Sequence, residues 1–235
     1  EVIDENIFSI FYKNVRGYIT EKIDTYFPDD RGAILYGMFL GLPGAVSESR
    51  LEKFEKSGIT HILAVSGLHV GLVLYIFFYV FKIFRINRKI SLILSIVIMI
   101  FYVILTGARP SAVRAGVMFG MIFLGTLAGG RGNAYNSLFL AGILILFASP
   151  GELFALGFIL SFMAVGGILY IAAPLKKLKY FPGSLAVSTG AVLAVMPVIA
   201  WNFYYIPLLA PIVNLAVIPV TGIIVSLGMF FFAVA

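Results

Sequence analysis

Any chemistry in this chain must come from a few polar side chains in apolar surroundings, and the densest group is Ser66-Gly67-Leu68-His69. It lies within His61–Gly71, which carries both of the protein's histidines at the mouth of a long apolar run. On a helix, Ser66 and His69 are three apart and share a face. Polar groups inside a membrane are costly unless they are paired or wet. Three readings are open: hydrogen bonds across helices, the lining of a wet pathway, or a Ser–His hydrolytic pair. The last needs a base-activated Ser66 and an oxyanion hole. Intramembrane serine proteases usually place their serine and histidine on different helices, so the close spacing argues mildly against it. A metal on His61 and His69 lacks a nearby acid to complete it.

Cationic chemistry centres on Thr106-Gly107-Ala108-Arg109-Pro110-Ser111-Ala112-Val113-Arg114. Pro110 suits the first turn of a helix, whose positive dipole end then stands beside Arg109, with Arg114 about a turn further in. An arginine near mid-membrane costs roughly 2.5–3.5 kcal/mol on insertion scales, so it should face a cavity or a partner. Glu152 is the one acid after Glu55, so at most one of Arg109, Arg114 and Arg131 pairs with it. An unpaired arginine beside a helix N-terminus makes an anion site, with phosphate the natural ligand. The plainer reading is that Arg109 snorkels to lipid headgroups. A third group, Trp201-Asn202-Phe203-Tyr204-Tyr205 before Pro207, reads as an interfacial aromatic belt. The belt explains it most cheaply, and stacking surfaces for unpaired bases explain it too.

The elements that must position these groups follow from composition. Over 235 residues the chain is 61% hydrophobic and 12% charged, with mean hydropathy +1.04. Soluble domains average about 45–50% apolar and about 25% charged. The fold class expected is therefore all-α, a polytopic membrane helical bundle of about seven spans with broken or re-entrant helices. An N-terminal amphipathic helix precedes it. With no cysteine, disulfides, thiolate metal sites and cysteine nucleophiles are excluded. There is no Gly-x4-Gly-Lys-Ser/Thr phosphate loop, so the chain does not itself consume nucleotide. There is no His-rich cluster, and neither metal nor cofactor is expected.

Residues 1–30 read as an amphipathic helix with one apolar stripe, too charged to span and suited to the interface. The alternative is packing on a neighbouring domain. Pro28 ends it, and Asp29-Asp30 can cap the segment 31–42. That segment is too short for a core of roughly 30 Å, which takes about 20 residues, so 31–60 reads as a re-entrant or outer-side element. Within it, Ser49 and Glu52 form a capping box for a short charged helix. The remainder, 61–235, is read as the transmembrane domain, with spans at about 62–81, 90–107, 111–128, 134–149, 153–173, 184–200 and 211–235. Gly116 with Gly120, and Gly157 with Ser161, are small-residue pairs that favour close packing.

The net charge of +6 is uneven: ten of the eleven acids lie at or before Glu55, while Lys56–Ala235 holds eleven Lys or Arg. Basic loops at 82–89, at 131 and at 176–179 fall on alternate connections, hence on one cytoplasmic side, with 1–60 outside. An acid-poor membrane body also tolerates a polyanion. Both ends look cut from a longer protein.

Five strings then point to a family. They are Ile62–Val73 (Ile-Leu-Ala-Val-Ser-Gly-Leu-His-Val-Gly-Leu-Val), Thr106-Gly107 with Ser111-Ala112-Val113-Arg114-Ala115, and Gly130-Arg131 with Ser149-Pro150. The last two are Gly157-Phe158-Ile159-Leu160-Ser161-Phe162 and Pro211-Ile212-Val213-Asn214-Leu215. In this order, over roughly 31–225, the chain resembles the ComEC competence domain, the DNA-uptake channel of naturally transformable bacteria. The resemblance implies single-stranded DNA crossing the bacterial cytoplasmic membrane, with a DNA receptor outside and a cytosolic ATPase that pulls. Family members usually add an OB-like domain and a nuclease domain; neither is expected here, so no enzymatic activity is carried over. On that reading Arg109 and Arg114 meet passing phosphates, and Ser66, His69, Ser161 and Asn214 keep the path wet. Trp201, Phe203 and Tyr204 guide bases. A small-anion secondary transporter, which should show an inverted repeat, and an intramembrane serine hydrolase are the alternatives.

Overall fold

A computed structural model of the protein describes residues 7–42, 54, 65–130, 133–178 and 181–234. Among these the secondary structure is helical. The order is α1 (Ile7–Tyr26), α2 (Asp30–Leu40), α3 (Gly67–Ile83), α4 (Arg88–Leu105), α5 (Pro110–Leu127) and α6 (Ala134–Ala148). A 3-10 turn (Pro150–Phe154) leads to α7 (Leu156–Tyr170) and the short α8 (Ala172–Leu175), then α9 (Gly183–Phe203) and α10 (Ala210–Val234). The charged helix expected after Ser49, and His61, Arg131 and Lys179, lie outside the described residues.

The helices stop where the sequence breaks them. Asn87 and Asn133 cap α4 and α6 with their side-chain oxygens, and Pro110 opens α5 at the first turn. Each of the seven expected spans is matched by a helix. Five of these, α4, α5, α7 with α8, α9 and α10, are long and apolar enough to cross a membrane. The other two, α3 and α6, are shorter, at 17 and 15 residues. The first span starts at Gly67 instead of 62, because Ser66 lies in extended backbone outside the helix. Pro197 and Pro219 are carried inside α9 and α10 instead of ending them. With five apolar helices of spanning length, this is a membrane protein.

The core joins α1–α5 and α10, with Ile23, Met38, Leu40, Val70, Val73 and Val225 fully buried. The amphipathic stripe of α1 is covered by protein: Ile19 and Ile23 are buried, and Tyr12 and Val15 pack against the same cluster. Asp29 caps the start of α2, its side chain accepting the Arg31 N–H, and Gly41 caps its end in the left-handed region with φ +68°. Tyr36 pins α2 to α1: its hydroxyl donates to Asp24 Oδ1 at 2.5 Å. Burial and that hydrogen bond push the phenol up to about 12.

The second half packs through glycine. On α7, a Cβ at Gly167 would stand 2.2 Å from the Gly190 carbonyl oxygen of α9. Gly190 faces Gly167 O at 2.7 Å in return, so the two backbones touch. Gly116 and Gly120 of α5 face Val103 and Met99 of α4 at ordinary contact distance. α10 joins the halves: Asn214 reaches Ser188 of α9, Gly222 lies against Leu72 of α3, and Gly228 packs on Phe39 of α2.

Candidate functional site

The starts of several helices converge at one end of the bundle, and the chemistry-bearing residues gather there. Ser111 Oγ, in the first turn of α5, donates to the Val65 carbonyl at 2.7 Å, fixing the lead-in to α3. Gly67 fits against Ala115, and Gly71 against the Phe119 ring, so α3 and α5 run closely side by side.

Ser66 is the residue before α3, and His69 is its third helical position. The Ser66 N–H donates to His69 Nδ1 at 3.0 Å, and Ser66 Oγ lies 3.1 Å from the same nitrogen. The imidazole therefore does what a Glu does in a capping box, holding a backbone N–H that the helix leaves without a partner. Nδ1 has one lone pair, and the backbone amide engages it. His69 is 0% exposed. A hydrolytic pair would need that nitrogen free to take the serine proton, beside a cleft a substrate can enter. Among the described residues that nitrogen is already engaged by the Ser66 backbone amide. The expected shared helix face is also lost, because Ser66 caps the helix from outside it.

Arg114 lies one turn into α5, buried, with Nη1 3.4 Å from Glu152 Oε2; their side chains are 6% and 30% exposed. Its Nε–H donates to Ser161 Oγ at 3.2 Å. The guanidinium thus ties α5 to the 3-10 turn and to α7. Gly157 is small for this reason: a Cβ there would sit 3.1 Å from Nη2. Of the three arginines that could have taken Glu152, Arg114 takes it, and its charge is compensated.

Arg109 is placed differently. It is the N-cap residue of α5, exposed, and Nη2 donates to the Gly41 carbonyl at the end of α2 at 2.6 Å. That contact leaves the guanidinium's charge without a carboxylate among the described residues. Gly41 is needed where it is, since a Cβ would meet Thr106 O at 2.6 Å. The turn between α4 and α5 is tight, with positive φ at Gly107 (76°) and Ala108 (48°). Backbone that accepts two such residues in succession holds Arg109 in a defined place.

The remaining residues do not join this cluster. Asn214 is buried on α10 and donates through Nδ2 to Ser188 Oγ at 3.2 Å. Its Oδ1 finds no hydrogen-bond partner among the described residues. Trp201, Phe203 and Tyr204 are exposed at the end of α9, with Tyr204 in the left-handed conformation at φ 57°. Sequence reasoning had Glu152 as the possible partner of one arginine without saying which, and it missed Gly157 as the space beside Arg114. The signal for Glu152 was present: an acid alone in a long acid-poor body needs a cationic partner.

The chain matches the Competence protein family over residues 38–235. It belongs to that family. It is also similar to ComE operon protein 3 of Bacillus subtilis (strain 168), at 30% identity over 207 residues, covering 88% of this chain and 27% of that protein. A second relative is an uncharacterized protein of Aquifex aeolicus (strain VF5), 33% identical over 204 residues, covering 83% of this chain and 47% of the relative. The chain therefore spans about a quarter of one curated relative and about half of the other. No solved structure matches. All of the site residues fall inside the competence match. α1 and most of α2 precede it, so the carbonyl that Arg109 holds, at Gly41, lies just within it.

Proposed function

We propose that this chain is the membrane-channel portion of a competence protein and passes single-stranded DNA across the bacterial cytoplasmic membrane during natural transformation. Membership of the competence family over 38–235 carries the reading. The site supports it: Arg109, an exposed guanidinium at a helix N-terminus, is arranged to receive a phosphate. Conduction wants binding that is weak and repeated, which one exposed arginine with polar neighbours suits better than a dense basic groove. Arg114 acts behind it. With Glu152 and Ser161 on the guanidinium, its part is to hold the turn and α7 around the path, and a phosphate reaches it only by displacing Glu152.

Ser66 and His69 shape the start of α3, and Asn214 with Ser188 offers a polar patch deeper in the bundle. Residues 1–60 lie on the outer side with the ends that carry Arg109 and Trp201, and the loops 82–89, 131 and 176–179 on the cytoplasmic side. A receptor delivers DNA from outside and a cytosolic ATPase pulls it; the chain itself carries out no catalytic step. The test is transformation by a strain whose full-length protein carries Arg109→Ala, with membrane abundance checked. The expected outcome is a loss of transformants of about ten-fold or more, as for a charge-assisted contact. Normal transformation at normal abundance contradicts the role of Arg109.

A further inference from the structure

Beside the Arg114–Glu152 anchor, the ends of α7 and α9 part to leave an open cleft of about 430 Å³. Its floor is aliphatic, formed by Ile159 and Val198. Pro197 lines it from inside α9, where a proline removes one helical hydrogen bond. Two aromatic rings flank it, Phe154 from the 3-10 turn and Trp201 from the last turn of α9, at 85% and 83% exposure. Asn202 also lines it, with its Nδ2 donating to Val198 O.

We propose that this cleft is a nucleobase slot, in which one base of a translocating single strand stacks against Trp201 and Phe154. The inference rests on the DNA-channel reading and adds a site to it. Four observations favour a base over an acyl chain. The two rings that flank the cleft come from different elements and keep their surface free. An amide is among the lining groups. Among the described residues no carboxylate lines the space to repel a strand's phosphates, and Glu152, two residues before Phe154, is turned onto Arg114. Finally, the cleft opens at the helix ends, where Glu152 and Arg114 also lie, and not at the middle of the spans. Stacking on aromatic faces tolerates any base, which a conduit for arbitrary sequence requires. The slot would hold the base edge-in while the phosphates run outside it.

Trp201 is the chain's one tryptophan, so its fluorescence reports this cleft alone. The protein in lipid nanodiscs is titrated with a 5′-labelled oligothymidylate, following probe anisotropy and Trp201 emission together. The slot predicts saturable quenching of Trp201 with the same midpoint as the anisotropy change. Phe154→Ala should shift that midpoint roughly ten-fold, and Phe154→Tyr should restore it. Phe154 is exposed, so neither variant should disturb folding. Oligonucleotide binding that leaves Trp201 unquenched, or is indifferent to Phe154→Ala, overturns the slot and leaves the channel reading standing. No anisotropy change at all overturns both. Quenching by nanodiscs of bromine-labelled phospholipid that oligothymidylate does not relieve assigns the cleft to an acyl chain and overturns the proposal.

Discussion

At the scale of single residues, the decisive fact is which arginine owns the one acid of the membrane body. Arg114 and Glu152 form a partly buried pair, and removing one partner of such a pair strands the other charge. For Glu152→Ala the stranded group is the more buried arginine, so a loss of about 3 kcal/mol is expected. Arg114→Met together with Glu152→Gln should recover most of it, because no charge is then stranded and the volume is kept. Unfolding of the purified variants in detergent measures both; equal losses in the single and double variants would remove the pair from the account. That Arg114 needed a partner or a cavity was legible in the sequence. Which of the two it had was not, because the answer depends on how the 3-10 turn folds back onto α5, a contact across 38 residues. His69 shows the same limit. Its type and spacing to Ser66 suggested a shared wet face, but α3 begins at Gly67, just after Ser66, and that makes the pair a helix cap.

At the scale of elements, helix positions were readable because apolar runs are interrupted by Pro, Gly and Asn, residues that cap, break or start helices for stated steric reasons. How the helices approach one another was less readable. The flagged pairs Gly116–Gly120 and Gly157–Ser161 make ordinary contact or make room for a guanidinium. A much closer backbone approach, at Gly167 and Gly190, joins one glycine from each of two helices, which no spacing within a single helix marks. Gly167→Ala should cost about 1–3 kcal/mol by forcing α7 and α9 apart. Its neighbour Gly166, with nothing within 4 Å of an added Cβ, should accept alanine with little change. Comparing the thermal midpoints of the two variants in one detergent checks this, and equal midpoints contradict the packing.

The hairpin of α1 and α2 carries a pH signature. Tyr36 has its phenol pushed up to about 12 by burial and by Asp24, against about 10 when unfolded. A raised acid pKa adds stability that is complete below pH about 10 and is lost as pH climbs toward 12. Tyr36→Phe lacks the ionisation, so the stability difference between wild type and variant should drift in favour of the variant across that window. A difference that stays flat to pH 12 would contradict the burial of the hydroxyl.

At the scale of the whole molecule, the chain is a membrane bundle of the competence family in which the buried Arg114 and Asn214 bond across helices, while Arg109 is exposed at the start of α5. The N-terminal helix lends its apolar stripe to this bundle, so α1 and α2 form part of the wall around the site, joined to it by the Arg109–Gly41 hydrogen bond. The central claim is that translocating DNA passes Arg109. This chain has no cysteine of its own, so with any cysteine elsewhere in the full-length protein replaced, single cysteines placed at Arg109 and at Phe147, which is 89% exposed on α6, can be compared. Each would be tested in the full-length protein for crosslinking to incoming DNA bearing a thiol-reactive backbone. The account predicts a crosslink at position 109 that appears only during uptake, and none at position 147. Equal labelling at both positions, or none at 109 while uptake proceeds, would contradict it.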